Sequence, residues 1–279
     1  MKIAILSGKG GTGKTTLSVN LFSCLKQGTL IDTDTEEPNS HIFIKPTNEV
    51  ITNIYKNHPV VNKDLCSFCG KCGEYCNFNA IIPTKTKVLV FEDFCHDCGL
   101  CEMVCPNNAI TYKTKVIGEV FSSHLENKSF HYGKLKIGEV SGVRVINKLN
   151  EISKEDGLVL VDCPPGVSCS TVEALRGSDY AIVCAEPTPF GVSDMTMVVE
   201  LLREENIEFG VVVNKSGIGN NQIYEYLEEE NIELLENIPW TKERAALYST
   251  GNLIADKDPI FNEKMEHILQ KVLGDNYDQ

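Results

Sequence analysis

The 279-residue sequence predicts an α/β protein, a mostly parallel sheet with helices on both faces, into which a small α+β module is inserted. Short apolar runs alternate with helical patterns along most of the chain. A glycine-rich loop separates the first run from the first helix, and two cysteine runs interrupt the alternation between about Val60 and Thr114. We therefore expect residues 1–60 and 115–279 to form one domain and residues 61–114 to form an insert.

The individual elements follow from the spacing of apolar residues. Lys2–Ser7 is a short apolar run typical of a buried strand, and Leu17, Leu21 and Leu25 recur at helical spacing within Thr15–Lys26. Further strands are predicted at Thr29–Asp32, Leu158–Asp162, Tyr180–Ala185 and Phe209–Asn214, and further helices at Val192–Glu205, Asn220–Glu230 and Phe261–Leu273. The insert has two strand-like segments, Lys87–Glu92 and Ala109–Tyr112. Alternating strands and helices favour a parallel sheet covered on both faces.

Composition and charge exclude several classes of function. Lys and Arg number 26 against 39 Asp and Glu, and the formal net charge of −13 argues against nucleic acid and anionic membranes as partners. No apolar run approaches the roughly 18 residues of a membrane span, and Ile3–Leu6 is too short for a signal peptide. We therefore expect a cytoplasmic protein, in which 12 cysteines indicate metal or redox chemistry rather than disulfides.

The glycine-rich loop is a phosphate-binding motif. Gly8–Thr15 fits G-x-x-x-x-G-K-[ST] directly after a strand and at the start of a helix, the context that this motif requires. Its glycines let backbone N–H groups turn toward phosphate oxygens. Lys14 is expected to reach the β- and γ-phosphates, and the Thr15 hydroxyl to bind Mg²⁺. The predicted nucleotide-binding positions are Gly10, Gly11, Thr12, Gly13, Lys14, Thr15 and Thr16.

Acidic residues follow two of the predicted strands. Asp162 ends the strand Leu158–Asp162, where a carboxylate that serves the metal of a Mg²⁺ nucleotide belongs. Asp32 and Asp34 follow the second strand, and one of them can face the γ-phosphate. Aspartate after a strand is also a common helix cap or turn residue, so both interpretations stay open.

Three groups of residues surround this site: Lys9 inside the loop, Asp32-Thr33-Asp34 followed by Asn39, and Asp162-Cys163-Pro164-Pro165-Gly166. Together they resemble the MinD, ParA and Mrp group of deviant Walker ATPases, which is related to the nitrogenase iron protein. The resemblance covers most of residues 1–60 and 115–279 and implies an ATPase that forms a homodimer on binding ATP and Mg²⁺. It also implies that Lys9 crosses to the partner's phosphates, that Asp34 orients water, and that Asp162 contacts Mg²⁺ through water. By the same resemblance Asn214 contacts the adenine.

The cysteine runs have the spacing of iron–sulfur ligands. Each run is C-x2-C-x2-C-x3-C, and in this arrangement three thiolates bind one 4Fe-4S cluster while the fourth binds the other cluster. The predicted ligand sets are Cys66, Cys69, Cys72 and Cys105 for the first cluster, and Cys95, Cys98, Cys101 and Cys76 for the second. The insert resembles bacterial two-cluster ferredoxins, with Asn77 at a position where proline is usual. Zinc is the competing metal, but its sites usually pair two cysteines with two distant ligands.

Four cysteines lie outside these runs. Cys24 and Cys184 fall on the apolar face of a predicted helix and in a predicted strand, so we expect both to pack in the core. Cys163 and Cys169 flank the turn after Asp162, and two interpretations stay open for them. They are inert thiols, or they bind a third 4Fe-4S cluster shared across a dimer, because the nitrogenase iron protein has a cluster cysteine at the same offset as Cys169.

Two functional hypotheses account for both motifs. In the first, ATP binding and dimer closure gate or tune electron transfer from two 4Fe-4S clusters to a redox partner. In the second, the protein is an ATP-dependent carrier that assembles a cluster or inserts it into an accepting protein. A third class, a positioning ATPase without redox chemistry, would leave eight cysteines without a role.

Overall fold

The structure is a computed structural model that describes residues 1–152 and 157–274. Its strands are β1 (Lys2–Leu6), β2 (Gly28–Asp32), β3 (Val50–Val61), β4 (Ile81–Pro83), β5 (Val88–Val90), β6 (Ile110–Leu125), β7 (Lys128–Leu135), β8 (Val159–Asp162), β9 (Tyr180–Ala185), β10 (Glu208–Ser216) and β11 (Leu234–Pro239). Its helices are α1 (Lys14–Cys24), α2 (His41–Ile44), α3 (Lys71–Glu74), α4 (Leu100–Met103), α5 (Val143–Ile152), α6 (Cys169–Leu175), α7 (Pro189–Glu204), α8 (Gln222–Glu229), α9 (Lys242–Ser249) and α10 (Pro259–Leu273).

The chain folds into two compact units. The first comprises Met1–Ile51, Val120–Lys134 and Val143–Gln279, and the second comprises Thr52–Glu119 and Leu135–Gly142. The chain enters the second unit along β3 and leaves it along β6. Within the described residues, no helix is long and apolar enough to cross a membrane.

A large, mostly parallel sheet organises the first unit, which confirms the predicted α/β class. Within this unit the strand order is β11-β10-β9-β1-β8-β2-β7. β1 pairs in parallel with β8 and β9, β2 with β8 and β7, and β10 with β9 and β11. Ile3, Ala4, Ile5 and Leu6 of the central strand are all fully buried. Because successive strand residues point to opposite faces, both faces of the sheet are covered.

One face of the sheet packs against two helices that are far apart in sequence. Ile3 and Ile5 share a core cluster with Leu17 and Leu21 of α1 and with Phe261 and several other residues of α10. Burying one such side chain stabilises the fold by about 1.5–3 kcal/mol. This packing fixes α1 beneath the sheet and therefore fixes the loop that precedes it.

Several strands differ in extent from the prediction or were missed: β3, β4, β7 and β11 were not predicted, and β6 is longer than expected. The predicted segment Ala109–Tyr112 is only the start of β6, which continues to Leu125 through a polar stretch that resembles a loop. In that stretch Lys115 pairs with Glu139 at 2.8 Å and with Asp93 at 2.9 Å. β7 also lacks a clear apolar pattern, so its sequence does not predict a strand. It is held in the sheet by its parallel pairing with β2.

The second unit contains a structural repeat that follows the two cysteine runs. The helices α3 and α4 each begin after a glycine in the left-handed region, Gly70 at φ 86° and Gly99 at φ 79°. Asn79 and Asn108 follow the runs at φ 53° and 49°. Each pair is separated by 29 residues in sequence, as are the cysteines themselves. The two runs therefore fold alike.

Candidate functional site

The phosphate-binding motif lies between β1 and α1, at the edge where the parallel strands end. α1 begins after Gly13, at φ 99°, without a side-chain cap. By contrast, other helices are capped by the side chains of Ser168, Thr188, Thr241 and Asp258. The first-turn N–H groups of α1 are therefore available to bind an anion, as in other phosphate sites at helix N-termini.

Gly13 is required by a close neighbour as well as by its dihedral angles. A β-carbon there would clash with the side-chain amide of Asn214, whose Nδ2 donates a hydrogen bond to the Thr12 carbonyl at 2.6 Å. Asn214, predicted to contact adenine, thus lies directly against the loop. That adenine contact stays a prediction.

A buried ion pair joins the loop to β8. The Lys14 ammonium donates to Asp162 Oδ1 at 2.8 Å, and the two side chains are 8% and 0% exposed. Asp162 also accepts from the hydroxyls of Ser18, at 3.1 Å, and Ser40, at 3.2 Å. Burial lowers the pKa of Lys14, but the charge of Asp162 and its hydrogen bond, with two further aspartates, outweigh burial and raise it overall. Lys14 is therefore a charged group at the motif.

The structure assigns different environments to Asp32 and Asp34. Asp32 is fully buried and accepts from the backbone N–H groups of Asp34, at 3.0 Å, Asn39, at 3.1 Å, and Ser40, at 3.0 Å. It lies opposite Asp162 in the sheet register, and burial followed by the Asp162 charge raises its pKa to about 7. Asp32 therefore organises the loop that follows β2.

Asp34 is only partly buried at the same edge. Burial and, secondarily, the charge of Asp162 raise its pKa to about 6, although Lys14 acts in the opposite direction. The Asp34 carboxylate accepts a backbone hydrogen bond from Glu37, whereas Asp32 accepts three from the same loop.

Lys9 lies in an ion-pair network within its own chain. Its ammonium pairs with Glu186, which also pairs with Lys215 at 3.0 Å, and Lys215 donates to the Gly11 carbonyl at 2.8 Å. Burial favours a higher pKa for Glu186, but the hydrogen bonds from the two lysines lower it overall. In this arrangement the Lys9 ammonium is held beside the loop by an anionic carboxylate.

The eight cysteines of the two runs line two cavities. Cys66, Cys69 and Cys72 line the first together with Cys105, which comes from the other run. The second is lined by Cys95, Cys98, Cys101 and Cys76. The two cavities are of similar size. These are the same groups of four as in the predicted ligand sets.

The thiols in these cavities surround space rather than converging on a point. Among residues 1–152 and 157–274, no group of three or more His, Cys, Asp or Glu side chains is arranged to hold a single metal ion. Cys69 and Cys98 are exposed, and the other six thiols are partly buried. Backbone N–H groups donate to Cys95 Sγ at 3.4 Å and to Cys105 Sγ at 3.3 Å.

Comparison with known proteins assigns the nucleotide site to a family. Residues 3–254 match the family described as CobQ/CobB/MinD/ParA nucleotide binding domain. The chain belongs to this family. The uncharacterized protein MJ0578 of Methanocaldococcus jannaschii is 32% identical over 278 residues, 98% of this chain and 96% of that protein. MJ0579 of the same organism is 31% identical over 255 residues, 80% and 83% of the two chains.

Solved structures agree on the fold. MinD from Pyrococcus horikoshii, in complex with Mg-ADP, is similar with a TM-score of 0.60 and 18% identity over 98% of this chain and 97% of that one. The MinD/ParA family consists of ATPases, so membership supports ATPase activity for this chain. The nucleotide-binding domain predicted from the motif is thereby confirmed.

The remaining cysteines of this MinD/ParA-family protein lie in contrasting places. Cys163 is fully buried, 3.7 Å from the Val161 carbonyl, and burial raises its pKa to about 12. Cys169 is exposed at the start of α6. Cys184 is buried, and Cys24 is partly buried and donates to Asn262 Oδ1 at 3.2 Å. A cluster shared by Cys163 and Cys169 stays a prediction, against which the burial of Cys163 counts.

Sequence reasoning missed several residues of this MinD/ParA-family site. Ser18 is four residues after Lys14 on the same helix face, which is a signal that spacing could have supplied. Ser40 and Lys215 reach the site only through the folded loop and sheet edge. Glu186 directly follows β9, so the rule that sites form at strand ends applies to it.

Proposed function

We propose that this protein is an ATPase in which nucleotide-dependent dimer closure gates or tunes electron transfer from two 4Fe-4S clusters to a redox partner. The observation that carries the proposal is the lining of each cavity by three cysteines of one run and one of the other. A cluster with four irons takes one thiolate at each, so four thiols around a cavity fit it better than they fit a single ion. When bound, such clusters supply one-electron redox chemistry.

The nucleotide chemistry is assigned to residues already close together. Backbone N–H groups of Gly10–Thr16 bind phosphate oxygens, and Lys14 moves its hydrogen bond from Asp162 to the β- and γ-phosphates. Thr15 and Asp162 are the residues that would hold Mg²⁺. Asp34 accepts a hydrogen bond from the water that attacks the γ-phosphorus, and cleavage of the phosphoanhydride bond releases ADP and phosphate.

Dimer closure requires Lys9 to change partners. Within one protomer its ammonium pairs with Glu186. In the proposed closed dimer it leaves this carboxylate and neutralises phosphate oxygens of the nucleotide bound by the partner. Because the phosphates of ATP carry more negative charge than those of ADP, we expect ATP to favour the closed state.

Chain connectivity supports a link between the nucleotide and the cysteines. The loop that Asp32 organises leads into α2 and then into β3, which ends five residues before Cys66. β6 begins five residues after Cys105 and returns to the first unit. A change in the loop on hydrolysis would therefore act on β3, one of the chain segments that join the two units.

The proposal is tested on anaerobically reconstituted full-length protein. We expect about 8 Fe per chain, and a third cluster shared by two chains would raise this to about 10. The potential of each cluster is measured with Mg-ATP, with Mg-ADP and without nucleotide. A coupling of roughly 1–3 kcal/mol corresponds to a shift of about 40–130 mV for one electron.

Lys14→Ala is the matched control, because it should abolish ATP hydrolysis and the nucleotide-dependent shift while leaving the iron content unchanged. Reconstituted protein without iron would contradict the proposal. Iron that stays bound to the wild type without ATP, but passes to an apo-acceptor when ATP is added, would instead support the cluster-carrier alternative.

A further inference from the structure

The repeat in the second unit gives each position around one cavity a counterpart around the other. Ile81 and Ile110, which are 29 residues apart, are both buried. Two residues after each isoleucine, the equivalent positions hold different side chains: Pro83 lines the first cavity and Tyr112 lines the second. The first cavity thus has a ring without a polar hydrogen where the second has a phenol.

The phenol contacts a thiol directly. The Tyr112 hydroxyl lies 3.4 Å from Cys101 Sγ, within hydrogen-bond distance for sulfur. In a free thiol either atom can be the donor. An iron-bound thiolate carries no proton, so in the loaded protein only the hydroxyl can donate.

We propose that Tyr112 makes the two clusters inequivalent by raising the reduction potential of the cluster held by Cys76, Cys95, Cys98 and Cys101 above that of the other. The inference rests on the proposed function, since it requires both clusters. Reduction adds negative charge that spreads onto the thiolate sulfurs, and a hydrogen bond to a charged sulfur is stronger than one to a neutral group. The reduced state of that cluster is therefore stabilised more than its oxidised state.

Backbone donors do not favour the second cluster. Asp97 donates to Cys95 in the second set at 3.4 Å, whereas Ala109 donates to Cys105 at 3.3 Å and Gly73 to Cys72 in the first set. Lys71 lines the first cavity but is exposed, so water and salt screen its charge. Lys56, whose charge acts on Cys95, is neutralised by Glu139 at 3.2 Å.

The test is an EPR-monitored redox titration of full-length, reconstituted Tyr112→Phe. We expect about a tenfold loss in the equilibrium constant for reducing the second cluster, equivalent to a fall of 59 mV for one electron, with the first cluster unchanged. Tyr55→Phe is the matched control, because Tyr55 on β3 is 53% exposed and lines neither cavity. It should leave both potentials unchanged.

An unchanged second-cluster potential in Tyr112→Phe, with iron still at about 8 per chain, would overturn the inference. Wild-type protein that lacks iron would instead overturn the proposed function. If the Tyr112→Phe variant does not take up its clusters, the order in which the two wild-type clusters are reduced tests the inference. The cluster reduced first must be the one whose EPR signal Cys98→Ser alters, and equal potentials or the opposite order would refute the role of Tyr112.

Discussion

The buried ion pair between Lys14 and Asp162 predicts a large loss of stability when the Asp162 carboxylate is removed. In Asp162→Asn the side chain keeps its size and can still meet the hydroxyls of Ser18 and Ser40. The ammonium of Lys14, however, loses the only carboxylate within 4 Å of it that the described residues provide, in a place where it is 8% exposed. Removing one partner of a buried ion pair costs about 3–5 kcal/mol. The amide oxygen retains a hydrogen bond, so we expect about 3 kcal/mol.

Urea unfolding of the nucleotide-free protein measures this cost. Trp240 is the only tryptophan and lies in the first unit, so its fluorescence follows that unit. With a slope of about 2–3 kcal/mol per molar urea, the midpoint should fall by about 1–1.5 M. Lys14→Met and the double variant complete a double-mutant cycle, in which the double variant should be more stable than the sum of the single losses predicts.

A loss below about 1 kcal/mol in Asp162→Asn would refute the reasoning, because it would show that Lys14 finds water or another partner at no cost. Strict additivity in the cycle would refute it independently. Ser18→Ala is a control that removes one hydroxyl without changing charge and should cost only about 1 kcal/mol.

Three further predictions concern separate parts of the chain. Cys105→Ser should disturb the spectrum of the cluster shared with Cys66 rather than that of its sequence neighbours, and loss of the other cluster would contradict the crossed ligand sets. Lys9→Ala should bind nucleotide as a monomer but fail to dimerise with ATP in light scattering, and a dimer like that of the wild type would disprove the trans role. Burial favours a higher pKa for Asp258, but the ion pair with Arg244 at 2.7 Å and the N–H groups of α10 lower it below 3.8. Its contribution, about 0.5–1 kcal/mol for a partly exposed pair, is therefore present above pH 3.8. The stability advantage over Asp258→Asn should disappear as the pH falls through the lowered pKa, and an advantage that persists in acid would count against it.

The nucleotide-binding half of the molecule could be predicted because its signals are local. A strand, a glycine loop and a helix occur in immediate succession, and the loop chemistry depends on residues that are adjacent in sequence. The partners of those residues could not be found in this way. Ser40 contacts Asp162 only because Asp32 folds the intervening loop, and Glu186 meets Lys9 only because β9 lies beside β1.

Missed elements have the same origin. β7 contains Lys128, Ser129 and His131, and its buried state comes from parallel pairing with β2 rather than from its own apolar pattern. The sequence places Tyr112 at the end of a predicted strand but does not indicate its contact with Cys101, which depends on where the two cysteine runs come together. The spacing of residues predicts the motifs and the local elements. The strand pairing and the repeat determine which side chains from distant parts of the sequence are in contact.

The exchange of the fourth cysteine between the runs has a consequence for biosynthesis. A chain made from its N-terminus contains Cys66 early, yet the first cavity is completed only by Cys105, and the second only by Cys101. The two are completed within four residues of each other, which a ribosome adds in about a second or less. Until then the nascent chain presents thiols without a finished site. We therefore expect iron to enter both sites as one event after the whole insert has emerged, rather than one run at a time during translation.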